Sequence, residues 1–450
     1  MMHTSRRMFL KSGAMALVSV GLAPTYGPEF LRKTVFADEP LRARQGSGGR
    51  KTLICIFQRG AVDGLSMVVP HGDPDYYRLR AVGAGGIALP RTGAERVLDL
   101  DGTFSLHPVL TPLKEIYDSG HLAPIHAVGS PSTTRSHFDA QDFMECGSAD
   151  RTLPEGWLSR ALLNCPEDQA RLRSTLRGVS LTAQLPRSLQ GDAQALAIPD
   201  LRTFGVADAG AGGAGVGAMG GMTRPGNSSG NVAGGFEALY DGAVGDVLHG
   251  TGKESFEAMK MLKNITARPY TPANGAQYPR GRFGDALRQI AQLIKADVGV
   301  EIAFAESGGW DTHVGQGGAQ GQLAQRLREF GQGLAALYRD LGDRMDDTVI
   351  LTMSEFGRTA RQNGNGGTDH GHATCFLALG GSVRGGRVLG QWPGLAPENL
   401  YEGRDLAHTT DFRDVFGEVA QRHLGVQDLG VVFPGRTIKP ASFRNVLRAA

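Results

Sequence analysis

No charge of one sign predominates in this sequence: 47 Lys and Arg stand against 45 Asp and Glu, a formal net charge of +2. A nucleic-acid binder needs a strong basic excess to neutralise phosphates, so the balance argues against that class. Long hydrophobic runs are also missing. No segment reaches the roughly 20 apolar residues that a bilayer-spanning helix requires, and no stable transmembrane segment is expected. Cysteine is scarce. Cys55, Cys146, Cys165 and Cys375 show no Cys-x-x-Cys spacing, which argues against an iron-sulfur cluster or a thioredoxin-like site. Cys55 and Cys375 sit in apolar, strand-like runs and read as small buried hydrophobes, whereas Cys146 and Cys165 could form a bridge in an oxidising compartment. The spacing Gly210-x-Gly212-x-x-Gly215 serves dinucleotides only between a strand and a helix. Here it falls in a Gly- and Ala-rich stretch, 205–235, with no strand before it, and reads as part of a surface insertion.

At the N-terminus, Ser5-Arg6-Arg7-Met8-Phe9-Leu10-Lys11 precedes a short apolar stretch from Ala14 to Ala23. A basic start with paired arginines and a short apolar run reads as a twin-arginine export signal. Cleavage after Val35-Phe36-Ala37 makes 1–37 the signal and leaves a polar linker over 38–50. An uncleaved signal would instead tether the chain. The expectation is a protein that meets the twin-arginine translocase during export and works, already folded, in the periplasm or outside the cell.

From 51 to 450 the pattern fits a single domain of about 400 residues, enough for a substantial core. Thr52-Leu-Ile-Cys-Ile-Phe57 is a continuous apolar run, the mark of a strand buried on both faces. Similar runs recur at Leu122 to Val128, Gly178 to Leu181, Val298 to Phe304, Thr348 to Met353 and Thr374 to Leu379. Between them, Phe283, Leu287, Ile290 and Ile294, and then Leu323, Leu327, Phe330, Leu334, Leu337 and Leu341, repeat at helical spacing. Phe412, Val415, Phe416 and Val419 do the same after Thr409-Thr410-Asp411, which offers side-chain oxygens for an N-cap. Strands alternating with helices predict an α/β fold, a doubly wound, mainly parallel sheet covered by helices on both faces.

Ligands of such sheets collect past the carboxyl ends of the strands, and the polar clusters fall there. Glu306-Ser-Gly-Gly-Trp-Asp311-Thr-His313 and Thr368-Asp369-His370-Gly371-His372 flank strands. In extended chain, residues two apart share a side, so Asp311 with His313, and His370 with His372, could each close on one metal ion. Carboxylate plus imidazole without thiolate suits an open hydrolytic site for a divalent ion, zinc or manganese. Ser354-Glu355-Phe356-Gly357-Arg358 ends another strand, and Asp63 follows the first one. The run Ser130-Pro-Ser-Thr-Thr-Arg135-Ser136-His137 supplies hydroxyls for a nucleophile, and Arg135 or Arg358 could pair with an anionic group.

The motifs Phe57-Gln-Arg-Gly-Ala-Val-Asp63-Gly-Leu65, Arg135-Ser-His-Phe-Asp139, Gly308-Gly-Trp-Asp-Thr-His313, Ser354-Glu-Phe-Gly-Arg-Thr359 and Thr368-Asp-His-Gly-His372 together resemble a family of twin-arginine-exported bacterial proteins, domain of unknown function 1501. More distantly, the chain resembles the alkaline phosphatase and sulfatase superfamily. That likeness implies one or two divalent ions, with Asp63 on one metal, Asp311 and His313 on the other, His370 or His372 closing that second sphere, and Ser136 as nucleophile. Glu355 falls where the superfamily places the aspartate of an Asp-His-Gly run, and Phe356 takes the histidine position. In the other register Asp369-His370-Gly371 matches the run directly. The sulfatase Cys-x-Pro-x-Arg run is absent, which argues against a formylglycine. The implied activity is hydrolysis of phosphate or sulfate esters on a small molecule or polymer. A binding or assembly protein on the same scaffold is the alternative.

Overall fold

The structure, a computed structural model, describes residues 50–148, 153–166, 174–203, 258 and 260–448. The export signal expected over 1–37, the linker up to residue 49 and the Gly-rich insertion expected at 205–235 lie outside the described residues. The chain divides into two units, 1–41 with 201–267, and 42–200 with 268–450. In the first, a helical stretch runs over 260–266, where Thr266 Oγ1 donates to the Leu262 carbonyl (2.8 Å).

The second unit carries β1 (Thr52–Arg59), β2 (Val68–Val69), β3 (Leu98–Asp99), β4 (Ser105–Leu106), β5 (Leu122–Gly129), β6 (Gly178–Ser180), β7 (Ala195–Ala197), β8 (Ile302–Gly308), β9 (Thr348–Met353), β10 (Thr374–Leu379) and β11 (Thr410–Asp411). Eight of these form one sheet in the order β11-β5-β10-β9-β1-β8-β6-β7, while β2, β4 and β3 form a small antiparallel sheet. The large sheet is parallel except at β10, which runs against both β9 and β5. The fold is thus α/β with a large, mostly parallel mixed sheet. The reversal of β10 has a consequence for chemistry: its first residue, Thr374, pairs with Val128 near the end of β5. The segment leading into β10 therefore lies at the edge where the parallel strands finish.

β1 is central because its run is apolar on both sides, and it pairs with β8 and β9. Leu53, Cys55 and Phe57 point to one face and join a core with Trp157, Phe412, Val415 and Phe416, from helices Trp157–Asn164 and Phe412–Arg422. Trp157 stacks on Phe416 with ring centroids 4.7 Å apart. Ile54 and Ile56 alternate to the opposite face. Helix Arg282–Lys295 packs on β8 and on helix Gln322–Leu341, and no apolar residue of either joins the Trp157 core. Asp411 supplies the N-cap of Phe412–Arg422, accepting from the Arg413 N–H (2.9 Å). β8 starts at Ile302 rather than Val298, because Asp297 (φ 53°) and Gly299 (φ 91°) turn the chain first. Cys146 and Cys165 do not form a bridge; Cys146 Sγ faces the Glu155 carbonyl (3.6 Å) at the end of its own helix.

His107, His126 and His423 are buried, and each has a ring nitrogen on a main-chain carbonyl, of Gly318, Val68 and Thr52 respectively. Burial lowers each pKa from 6.5 to about 4. Above pH 6.5 these rings are neutral in folded and unfolded chains alike. As pH falls from 6.5 towards 4, the unfolded chain takes up protons that the folded one resists, and each ring removes up to about 3 kcal/mol of stability. Urea unfolding at pH 7 and at pH 4.5 is expected to show a midpoint that drops sharply with acid. An unchanged midpoint would contradict the buried neutral state of these rings.

Candidate functional site

Four connections meet at the carboxyl edge of the sheet. β8 ends at Gly308, and Gly309 (φ 87°) turns the chain into Trp310, whose fully buried indole donates from Nε1 to the Ser307 carbonyl (2.9 Å) and packs edge-on against Phe330. That anchor fixes Asp311 and, two residues on, His313. β9 ends before Ser354, whose hydroxyl donates to the Gln58 carbonyl (2.8 Å) and accepts from the Val62 N–H (3.1 Å), tying the exits of β1 and β9 together. Asp369 and His370 lie on the approach to β10, where Arg358 and His370 form an antiparallel bridge. The connection after β5 delivers His137 at the first position of helix His137–Cys146.

One ligand atom each from His137, Asp311 and His370 lie within 4.8 Å of one another. His313 lies beside this group, its Nε2 3.0 Å from both Asp311 Oδ1 and His370 Nε2. The far nitrogen of every ring is committed outward. His137 Nδ1 meets Glu355 Oε1 (2.8 Å), His313 Nδ1 meets Asp369 Oδ1 (2.8 Å), and His370 Nδ1 meets the Arg135 carbonyl (2.8 Å). A carboxylate and a carbonyl only accept, so each Nδ1 carries the proton, and in the neutral ring each Nε2 presents a lone pair. His137 Nε2 is buried with no hydrogen-bond partner, 3.5 Å from Asp311 Oδ2. Imidazoles whose outer nitrogens donate to carboxylates or carbonyls, with inner nitrogens converging on a carboxylate, form the pattern of a divalent-metal site.

The electrostatics favour a cation. Asp311, Glu355 and Asp369 bring carboxylates, against which Arg358 supplies a guanidinium, donating from Nη1 to Asp311 Oδ1 (2.7 Å). Burial would raise Asp311, but this bond and charge hold it below the usual carboxylate range. Burial opposes ionisation of Glu355 too, and hydrogen bonds from His137 and Gln141 outweigh it. The His313 bond lowers Asp369. The Glu355 bond raises His137, while burial lowers His370.

Residues 227–437 match the model of a family described as protein of unknown function (DUF1501). The matched stretch includes Asp311, His313, Glu355, Arg358, Asp369 and His370, and it begins after Asp63 and His137. The chain matches no curated protein.

Of the residues singled out from sequence, Asp311, His313 and His370 offer ligand atoms to one point, and Glu355 and Asp369 stand behind them as acceptors for the rings. His372 goes elsewhere: its Nε2 meets His408 Nδ1 (2.8 Å), and its ring stacks on Tyr401 (4.0 Å). The two-apart rule fails for His370 and His372 because the segment is a bridge, not a strand. Gly357 N–H donates to the His372 carbonyl and Gly371 N–H to the Gly357 carbonyl, which fixes their separation independently of any pleat. Phe356 does not leave a gap; its ring stacks on His137 (5.0 Å) and packs against His370 (5.1 Å), walling the cluster. Arg358 is buried and occupied by Asp311 and Thr368, and Arg135 pairs with Glu402 and Asp405. Ser136 precedes the helix without capping it, and its N–H donates to Thr134 Oγ1 (3.2 Å). His137 was legible only as the tail of the hydroxyl-rich run, read for its serine.

Asp63 lies at the same edge but is not brought to the cluster. Its carboxylate is buried in a fork-to-fork pair with Arg80 (2.7 and 3.0 Å) and accepts from Ser66 Oγ and Gln316 Nε2 (2.7 Å each). Gln316 Oε1 in turn accepts from Thr312 (2.8 Å) and Thr368 (2.7 Å), and Thr368 Oγ1 accepts from Arg358 Nε (3.3 Å). Asp63 is thus the far end of a buried network that reaches Asp311 through Arg358. Asp63→Asn leaves the Arg80 charge buried without its counter-ion and is expected to destabilise the fold by about 3–5 kcal/mol. Denaturant unfolding measures this, and a loss below about 1 kcal/mol, the range of an exposed pair, would contradict the burial.

Proposed function

We propose that the protein is a metal-dependent hydrolase of phosphate or sulfate esters, holding one divalent ion with His137, Asp311, His313 and His370. The observation that carries this reading is the convergence of imidazole Nε2 atoms on a carboxylate, with each Nδ1 already donating to a group that can only accept. A donor set of imidazole and carboxylate without thiolate suits zinc or manganese, and five-coordination would leave a position for water beside the four side chains. A divalent ion there would polarise an ester oxygen and make a bound water nucleophilic near neutral pH. The chain's own residues then hold and orient: Glu355, Asp369 and the Arg135 carbonyl set the rings, and Arg358 offsets the charge of Asp311. Ser136, adjacent to His137 in sequence, would be the hydroxyl for covalent attack, and water is the other nucleophile. Ligands gathered past the carboxyl ends of a mostly parallel sheet support an alkaline phosphatase-like scaffold. The paired Arg6-Arg7 supports action outside the cytoplasmic membrane after export in the folded state.

One observation favours the alternative, a binding or assembly protein without turnover. The arginines expected to grip the anionic group, Arg358 and Arg135, are both engaged within the protein.

Purified protein is expected to retain zinc or manganese on elemental analysis, and His313→Ala with His370→Ala is expected to abolish it. Metal retained by that double variant would overturn the site. Glu355→Gln weakens the anchor of His137 and is expected to lower metal affinity about 10- to 100-fold. Turnover of chromogenic phosphate or sulfate esters, lost with chelator and restored by metal, supports the hydrolase. Bound metal with no turnover of any ester favours the binder.

A further inference from the structure

A second polar site lies on the small sheet. A cavity of about 600 Å³ opens among His71, which follows β2, Asp99 of β3, Arg91 and Arg96 in the connection before β3, and Lys114 of helix Thr111–Asp118. Two of its cations, Arg91 and Arg96, have no carboxylate partner among the described residues. Arg91 is held in place by donating to the His71 carbonyl and by lying over the Tyr77 ring, 4.9 Å from its centroid. Arg96 reaches the Gly93 carbonyl at 3.5 Å. Lys114 is bound by Asp118 (2.6 Å). The acidic residue of the wall, Asp99, is already engaged, accepting from the Gly102 N–H (2.9 Å) and facing His71 Nε2 (3.6 Å), whose ring is fixed by the Ser105 hydroxyl at Nδ1 (2.8 Å).

We propose that this cavity binds a small organic molecule bearing a phosphate or sulfate group, with Arg91 and Arg96 as the anion's partners. A guanidinium presents a planar fork of donors that matches such oxyanions, and one already positioned loses little freedom on binding. The volume falls in the range of small-molecule sites, roughly 300–1,000 Å³. It leaves room beside an oxyanion for an organic body such as a hexose. The site is independent of the metal cluster and stands whether or not the protein hydrolyses esters.

Titration calorimetry of the purified full chain with glucose 6-phosphate and glucose 6-sulfate tests the assignment, and the comparison of the two shows which oxyanion is preferred. Saturable binding of at least one ester is expected, weakened at least about tenfold in Arg91→Ala with Arg96→Ala. Arg96→Glu alone, at an exposed residue with no side chain depending on it, is expected to weaken it likewise. His313→Ala with His370→Ala is expected to leave it intact. No saturable binding of either ester below about 10 mM would overturn the proposal. So would binding lost in the histidine variant and kept in the arginine variant, which would place the anion on the metal cluster.

Discussion

His313 and His370 hold their Nε2 atoms 3.0 Å apart, while the other nitrogen of each ring donates to a group with no proton to give. Two lone pairs at that distance repel, and only a positive centre, a proton or a metal ion, reconciles them. Asp311 adds a carboxylate oxygen at 3.0 and 3.3 Å, and His137 brings a third nitrogen with no partner of its own. The rest of the structure can be understood as the means of holding these like-natured groups together against their mutual repulsion.

That restraint is provided by close backbone packing and buried hydrogen bonds. A Cβ at Gly357 would sit 1.8 Å from the Ala373 carbonyl oxygen, and one at Gly371 would sit 2.4 Å from the Arg358 backbone. Any side chain at either position would part the segments that carry Arg358 and His370. Behind Asp311, the chain of contacts through Arg358, Thr368, Gln316, Asp63 and Arg80 runs inside the protein, where low dielectric makes satisfied polar groups rigid and unsatisfied ones costly. The network links the exits of β1, β8 and β9, so this edge of the sheet is stiff.

The strands and helices were legible because their periodicities are strong: β1, β9 and β10 and the helices at 282, 322 and 412 follow the apolar pattern. The edge on which chemistry collects followed from that topology. Pairing within the edge did not. Asp63 and Glu355 look alike in sequence, each a carboxylate just past a strand. What separates them is Arg80, 17 residues beyond Asp63 and buried against it, a tertiary contact with no local signature. Asp311 and His313 meet (3.0 Å) although Gly309 turns the chain and the Thr312 N–H closes a tight turn on the Trp310 carbonyl, whereas the bridge around Gly371 sends His372 to His408. Nothing in the sequence marks His137 as part of the cluster, because a histidine that opens a helix has no spacing of its own.

The most direct test is anomalous diffraction at the zinc and manganese absorption edges from crystals of the purified protein. A single peak about 2.0–2.2 Å from Nε2 of His137, His313 and His370 and from a carboxylate oxygen of Asp311 is the result this account requires. Crystals grown with excess metal that show no peak there, with His313 and His370 sharing a proton or turned apart, would contradict it.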